Sequence, residues 1–313
     1  MVFVARRRTV QAVGRPVKRL YAPPGPELEQ ALSLPTEVKE ADFDLSHYTV
    51  LVYGREKIGK STLASDFPEA LFFTTEPGTK GLRIYEFNPE HGGVSSWNVL
   101  RQGVDLLEKS KKFKTVVFDT VDRAYDMCLD FVCKERHIEY PGQDSAGSED
   151  YGKSWRAVKQ EFMEQVHRIL RTGRGLLFLS HVKEQEIKTR TGDKYDRIFP
   201  SMSNQARNVI EALVDMFFYA EYAKDKKGNT IRILITEGDD VVWAGHRPSF
   251  GKMPRFLPLL EKGGYKVIEQ AFLGKYPGLD ISTFMPARQT LGPSKSLIQR
   301  EQGKAALHAA GKE

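Results

Sequence analysis

The residues with the clearest chemistry run from Gly54 to Thr62: Gly54, Arg55, Glu56, Lys57, Ile58, Gly59, Lys60, Ser61 and Thr62. An apolar run, Thr49 to Tyr53, precedes them, and a helix-compatible segment to Asp66 follows. Strand, glycine-bounded loop and helix are the setting in which G-x-x-x-x-G-K-S cradles a di- or triphosphate. Gly54 and Gly59 keep Cβ atoms out of the way of the phosphates, and the loop amides point toward them. Lys60 is expected to neutralise the β and γ phosphates, and the Ser61 hydroxyl to ligate magnesium. These residues make ATP and Mg2+ the expected ligands.

The elements that follow must bring further polar groups to that loop. Ala70 to Thr75 reads as a short buried strand ending at Glu76-Pro77-Gly78. Ligands in open α/β sheets sit at the carboxyl ends of strands, so Glu76 is placed to polarise an attacking water. The competing reading of Glu76 is an exposed turn carboxylate. Lys114 to Thr120 is the next strand and ends in Asp119, the form of a Walker B segment whose carboxylate holds magnesium. Gly175 to His181 is another apolar run ending in a polar pair, Ser180-His181. His181 either bonds the γ-phosphate or is a plain histidine at the edge of the core.

Between these strands, Val121 to Arg136 and Trp155 to Leu170 carry apolar residues at helical spacing. Tyr140 to Ser154, rich in Gly, Ser and Asp, reads as a loop. Beyond His181 the composition turns polar. Glu186 to Arg190, a Thr191-Gly192-Asp193 turn and Lys194 to Phe199 read as a hairpin. Lys183, Lys188, Arg190, Lys194, Arg197 and Arg207 offer phosphate contacts, and Tyr195 and Phe199 offer stacking faces. Acids are interleaved among them, so a solvated hairpin with cross-strand pairs stands beside a DNA-binding one. Met216 to Tyr222, Thr230 to Thr236 and Val241 to Ala244 read as antiparallel strands added after the core. The loop from His246 to Arg255 is basic and broken by proline, and Arg247 or Lys252 is placed there as a finger for a neighbour's phosphates.

The chain of 313 residues has room for one large core with tails. Residues 1–20 carry arginine and lysine with no acid, and 21–47 carry acids and prolines, so 1–47 reads as a basic arm and an acidic linker. The core is expected over 48–274, and 275–313 reads as a polar tail with a terminal helix. No run approaches the ~18 apolar residues of a membrane span, and the first twenty residues lack the apolar stretch of a secretory signal. Cys128 and Cys133, five apart in one expected helix, face different ways and read as buried thiols of a reducing cytoplasm. The expected compartment is cytoplasmic.

In order, the chain shows a P-loop, a carboxylate after the second strand, a Walker B segment, a polar residue after the next strand, a basic hairpin and further strands. That order resembles the RecA-like recombinase core. More closely, it looks like the short RecA-like ATPases of bacteriophages implicated in single-strand annealing and recombination. The residues that carry the likeness are GREKIGKST at 54–62, FFTTEPG at 72–78, KTVVFDT at 114–120, LFLSHVKEQEIKTRTGDKYDRIFPSM at 176–202 and AGHRPSFGKMP at 244–254. It covers about residues 48–260.

The resemblance implies an α/β fold of the RecA-like P-loop type, with a mainly parallel sheet flanked by helices. It gives Glu76 the water-activating role, His181 the sensor role, and Arg247 and Lys252 the region of trans-acting cations. It puts DNA-binding loops at 140–153 and 183–206, with Lys183, Lys188, Arg190, Lys194, Tyr195 and Arg197 as contacts. The implied partners are single-stranded DNA, further copies of the chain in a ring or filament, and a single-strand-binding protein. The activity expected is DNA-stimulated ATP hydrolysis in recombination, annealing or repair. The alternatives are a nucleotide-gated annealing module with little turnover, and a P-loop small-molecule kinase, against which stands the absence of an arginine-rich lid. A GTPase is disfavoured because the chain has no N-K-x-D motif.

Overall fold

Runs of three to five apolar residues bounded by polar ones suit strands buried on both faces, and five of them stand at 50–53, 70–73, 116–118, 176–179 and 216–220. In the computed structural model all five lie side by side. The structure describes residues 34–188, 192, 194–247, 253–280, 282 and 284–286. Two compact units divide the chain. Residues 34–41, the described part of the first (Met1–Ala41), form no helix or strand; every element below belongs to the second, Asp42–Glu313.

Strand β1 (Thr49–Gly54) leads through the P-loop into helix α1 (Lys60–Ser65). Strands β2 (Ala70–Thr74) and β3 (Tyr85–Glu86), helix α2 (Trp97–Lys109), strand β4 (Thr115–Asp119) and helices α3 (Val121–Arg136) and α4 (Lys153–Arg171) follow. Strand β5 (Gly175–Ser180) runs into a hairpin of β6 (Val182–Lys188) and β7 (Lys194–Pro200). After α5 (Asn204–Leu213) come β8 (Met216–Asp225), β9 (Thr230–Ile235), β10 (Gly245–His246), β11 (Phe256–Pro258), α6 (Gly264–Phe272) and β12 (Phe284–Pro286).

Among the described residues ten strands form one sheet, in the order β11-β9-β8-β1-β5-β4-β2-β3, with β10 and β12 also pairing β8; β6 and β7 form a separate two-stranded sheet. β5 is thus inserted between the P-loop strand and the Walker B strand. The strands β8, β1, β5, β4, β2 and β3 are all parallel to one another. This corrects one expectation: the strand beginning at Met216 is part of the parallel core, and antiparallel pairing starts with β9. The hairpin and α5 supply the long crossover that a parallel neighbour needs. Val241–Ala244 is not a strand; Val242 makes an isolated bridge to Ile198, and the short strand lies at Gly245–His246 instead. The expected fold, a mainly parallel sheet flanked by helices with antiparallel strands at one side, is the RecA-like P-loop type.

Strand alternation divides the core into two layers. Leu51, Tyr53, Phe73, Phe118 and Phe178 point to one face, where α2, α3, α4 and α5 cover them. Val50, Val52, Phe72, Val117 and Leu179 point to the other, under α1 and α6. Helix α2, which the sequence reading passed over, carries Trp97, Leu100, Val104 and Leu107 at helical spacing and is capped by Ser96 Oγ accepting from Val99 N–H. Trp97 stacks on Phe162 and donates its indole N–H to Glu161 at 2.9 Å. Each such side chain, once fully buried, contributes about 1.5–3 kcal/mol. Cys128 and Cys133 are free and buried, as expected. No helix of the described residues is long and apolar enough to cross a membrane.

Candidate nucleotide site and basic hairpin

Parallel strands release their carboxyl ends at one edge of the sheet, so β1, β5, β4 and β2 deliver Gly54, His181, Asp119 and Glu76 to neighbouring positions. In the loop after β1, Arg55, Glu56 and Lys57 are exposed, Ile58 is buried, and Ser61 and Thr62 are half-buried. Gly59 has φ +110°, a left-handed conformation that other residues avoid. Gly54 is a glycine for another reason. A Cβ there would lie 2.6 Å from the carbonyl oxygen of Ala220, its partner on β8. The neighbouring strand, rather than a ligand, forbids a side chain at that position.

Lys60 is buried, and its ammonium donates to the Gly54 and Arg55 carbonyls at 2.8 and 2.9 Å. Burial draws its pKa below the ordinary lysine value, opposed chiefly by the carboxylate of Asp119. Ser61 Oγ donates to Asp119 Oδ2 at 2.6 Å. Burial raises the Asp119 carboxyl's pKa, with the Ser61 hydrogen bond and Lys60 acting the other way. A hydroxyl and a carboxylate oxygen side by side are the hard donors magnesium takes when phosphate and water complete its shell. Among the described residues no group of three or more His, Cys, Asp or Glu is arranged to hold a metal without such help. The pair therefore fits a nucleotide-borne Mg2+.

Glu76 reaches the same edge. Its Oε1 accepts from Thr120 Oγ1 at 3.1 Å, and its Oε2 lies 3.2 Å from His181 Nε2. The end of β2 is fastened to the end of β4: Thr75 N–H donates to Asp119 O at 2.8 Å, and Thr75 Oγ1 accepts from Thr120 N–H at 2.9 Å. Glu76 is about two-fifths exposed, open enough to address a water.

The structure adds three residues that the sequence reading did not single out. Arg232, on β9, lies against the P-loop: its Nη1 donates to Ile58 O at 3.4 Å and its Nη2 to Glu261 at 2.9 Å. Tyr53, fully buried, donates its hydroxyl to Trp243 O at 2.6 Å and so ties the P-loop strand to the segment after β9. Asp122, in the first turn of α3, accepts from Ser180 Oγ at 2.9 Å and from Ser201 Oγ, joining the end of β5 to the foot of the hairpin. Burial raises its pKa, against those two hydrogen bonds. Asp122 and Glu76 line one cavity of about 290 Å3 with Arg123, Asp126, His181 and Ser201–Ser203. No local motif in the sequence marks these residues; each becomes visible once the strand order is known.

Arg247 is not brought to this site. Its N–H bonds to Asp215 O, and the adjoining His246 and Gly245 pair with Met216 and Phe217, at the amino end of β8. Parallel β1 places that end about 17 Å from the P-loop, five residues at about 3.3 Å each. Arg247 therefore lies away from this chain's own P-loop. Lys252 and Arg190 lie outside the described residues.

The hairpin is sorted by strand alternation. Lys183, Gln185 and Ile187 of β6 stand directly opposite Phe199, Arg197 and Tyr195 of β7, and this face is half-buried to buried. Glu184, Glu186, Lys188, Lys194 and Asp196 occupy the exposed face, where Lys194 pairs with Glu186 at 2.8 Å. The described acids are thus separated from Lys183 and Arg197. Phe199 is only 8% exposed and has the Arg207 guanidinium 4.0 Å from its ring centroid, so that ring face holds a cation in place of the base expected to stack there. The loop at 140–153 is ordered by its own acids: Asp144 accepts from the Ala146 and Ser148 amides, and Asp150 from Gly152 and Ser154.

The family comparison agrees with this architecture. Residues 46–248 match the AAA domain family. A SPbeta prophage-derived uncharacterized protein YorG of Bacillus subtilis (strain 168) is 22% identical over 152 residues, which is 48% of this chain and 43% of that protein, so the match spans under half of the relative's length. Similar solved structures include a KaiC-like protein, PH0186, of Pyrococcus horikoshii OT3 (14% identity, 64% of this chain and 82% of that one, TM-score 0.36). Another is the flagellar accessory protein FlaH of Methanocaldococcus jannaschii (10% identity, 70% and 88%, TM-score 0.36). With the family model spanning well over half of the sequence and a P-loop, a Walker B carboxylate and a parallel sheet in place, the chain belongs to the AAA domain family of P-loop ATPases.

Proposed function

We propose that this chain binds and hydrolyses ATP with Mg2+ and couples the cycle to single-stranded DNA in annealing or recombination. The observation that carries the reading is the convergence of Lys60, the Ser61–Asp119 pair and the Glu76–His181 pair on one sheet edge. Magnesium, held by Ser61 and Asp119, would neutralise charge on the phosphates. Lys60 exchanges its carbonyl partners for phosphate oxygens. Glu76 accepts a proton from the attacking water, and His181, in contact with it, registers the γ-phosphate. Arg247 serves a neighbouring copy, which makes turnover depend on self-association in a ring or filament; Lys252 is assigned the same role. Lys183, Lys188, Arg190, Lys194, Tyr195 and Arg197 are assigned to the DNA strand. The likeness to a prophage-derived protein supports a phage setting; the host cytoplasm is the compartment, and a single-strand-binding protein the further partner, that this reading assigns.

The test is ATP turnover with and without single-stranded DNA, with Lys60→Ala as the blank. Stimulation by DNA that disappears in the variant supports the reading. Turnover indifferent to DNA removes the coupling. Nucleotide binding without turnover leaves a gated binding module.

A further inference from the structure

Three cations, one each from β6, β7 and α5, gather at the foot of the hairpin. The Arg207 and Arg197 guanidiniums stand 4.0 and 5.2 Å from the Phe199 ring centroid. Lys183, directly across from Phe199, donates to the Met202 carbonyl at 2.8 Å. Like charges repel, and here they do so partly out of water. Burial, and next the Arg207 guanidinium, hold the Lys183 pKa below its ordinary value, with Asp122 acting the other way; Arg207 is lowered by burial and by Arg197, with Glu211 acting the other way. Among the described residues none of the three forms an ion pair, and Arg197 Nε and Arg207 Nη1 are covered without an acceptor. Unpaired buried N–H groups destabilise the folded state, more so when charged. An arrangement of this kind is offset by an anion with several oxygens, which two guanidinium forks recognise better than a single point charge does.

The rest of that face identifies the anion. Tyr195 and Ile187 continue it toward the turn, half-buried and opposite one another, while the described acids of β6 and β7 lie on the far side; Asp122 of α3 and Glu211 of α5 are the carboxylates that act on Lys183 and Arg207. Phosphate recognition beside an aromatic and an apolar side chain suits an unpaired strand, whose bases are free to stack. We propose that Lys183, Arg197 and Arg207 seat a phosphodiester of single-stranded DNA at the foot of the hairpin, with Tyr195 and Ile187 receiving an adjoining base. This rests on the DNA reading above and sharpens it: the seat is at the foot, it includes a residue of α5, and the exposed lysines near the turn are peripheral.

The experiment is fluorescence anisotropy of a labelled oligothymidylate across a salt series, with a non-hydrolysable ATP analogue present. Arg197→Gln and Arg207→Gln should each weaken binding by about tenfold and lower the log–log salt slope by about 0.7. Lys188→Gln and Lys194→Gln should each cost less than about twofold. Arg207→Lys restores the charge without the fork and should fall between. Lys227→Gln, in the β8–β9 turn, controls for net charge, and retained binding of the ATP analogue shows that each variant is folded. Equal losses from both faces of the hairpin would overturn the seat and leave DNA binding standing. Competition by inorganic phosphate, at matched ionic strength, as strong as that of unlabelled oligonucleotide would mean a free-phosphate site, and also overturns it. A wild-type chain without affinity for the oligonucleotide removes both the seat and the functional reading.

Discussion

The nucleotide edge and the hairpin are both polar regions, but they are built by different devices. At the nucleotide edge, parallel strands each end in one functional residue, and the sheet order decides which residues meet. Asp119, Glu76 and His181 are scattered over more than a hundred positions and yet are joined by hydrogen bonds that run through Thr75 and Thr120. At the hairpin, neighbours in sequence are parted, because successive side chains of a strand point to opposite faces. Lys183 and Glu184 adjoin in the chain but sit on different surfaces. Topology gathers groups at the first site; alternation sorts them at the second.

Substitutions can sharpen or break that contrast. The largest effect is expected at the gathered site. Glu76→Gln keeps the contact geometry but removes the base, and should lower turnover by about 10²–10⁴-fold with nucleotide binding retained. Steady-state turnover beside equilibrium binding of ATP checks it; a parallel loss of both would make Glu76 a structural residue. Next is Tyr53→Phe, which strips the donor from the buried Trp243 carbonyl and should cost about 1–3 kcal/mol in denaturant unfolding. An unchanged midpoint would mean that the P-loop strand is independent of the segment after β9.

Arg232→Ala should weaken ATP-analogue binding by about three- to tenfold, since a P-loop carbonyl loses its guanidinium partner; calorimetric titration would show it. The smallest and most diagnostic change is Asp122→Asn. Burial raises the Asp122 pKa, so its ionised form disfavours the folded state at neutral pH. The asparagine retains an acceptor for Ser180 and Ser201, and should raise the melting midpoint by about 2 °C near pH 7. The gain should shrink as pH falls through the raised folded value and vanish below about 3.8, where the carboxyl is protonated in both states. A gain that grew toward low pH would contradict the burial argument.

How much of this was legible in the sequence follows from the same contrast. The P-loop, Asp119, Glu76 and His181 could be read because an apolar run ending in a polar residue signals a strand end whatever its neighbours are. Arg232 and Asp122 could not, because their roles depend on β9 lying two places from β1 and on the hairpin folding back over α3. Strand order is a long-range fact that no local pattern holds. The hairpin was legible as an element and obscure as a surface. Counting its charges mixed two faces, and the alternation needed to separate them is meaningful only once the register is fixed. Helix α2 was legible and overlooked, with Ser96 at its start and four large apolar residues at helical spacing.

The contact between Gly54 and Ala220 carries a lesson for reading motifs in general. The first letter of the phosphate-binding signature is enforced by the backbone of the next strand, 2.6 Å from any side chain that could replace it. A descendant of this chain that had abandoned nucleotides altogether would still be compelled to keep that glycine for as long as β8 stayed beside β1. Two positions of one signature thus report on different histories: Gly54 records the architecture, and Lys60 records the ligand. Loss of activity in such a lineage would show first as drift at the lysine, with the glycine outlasting the function it is usually taken to announce.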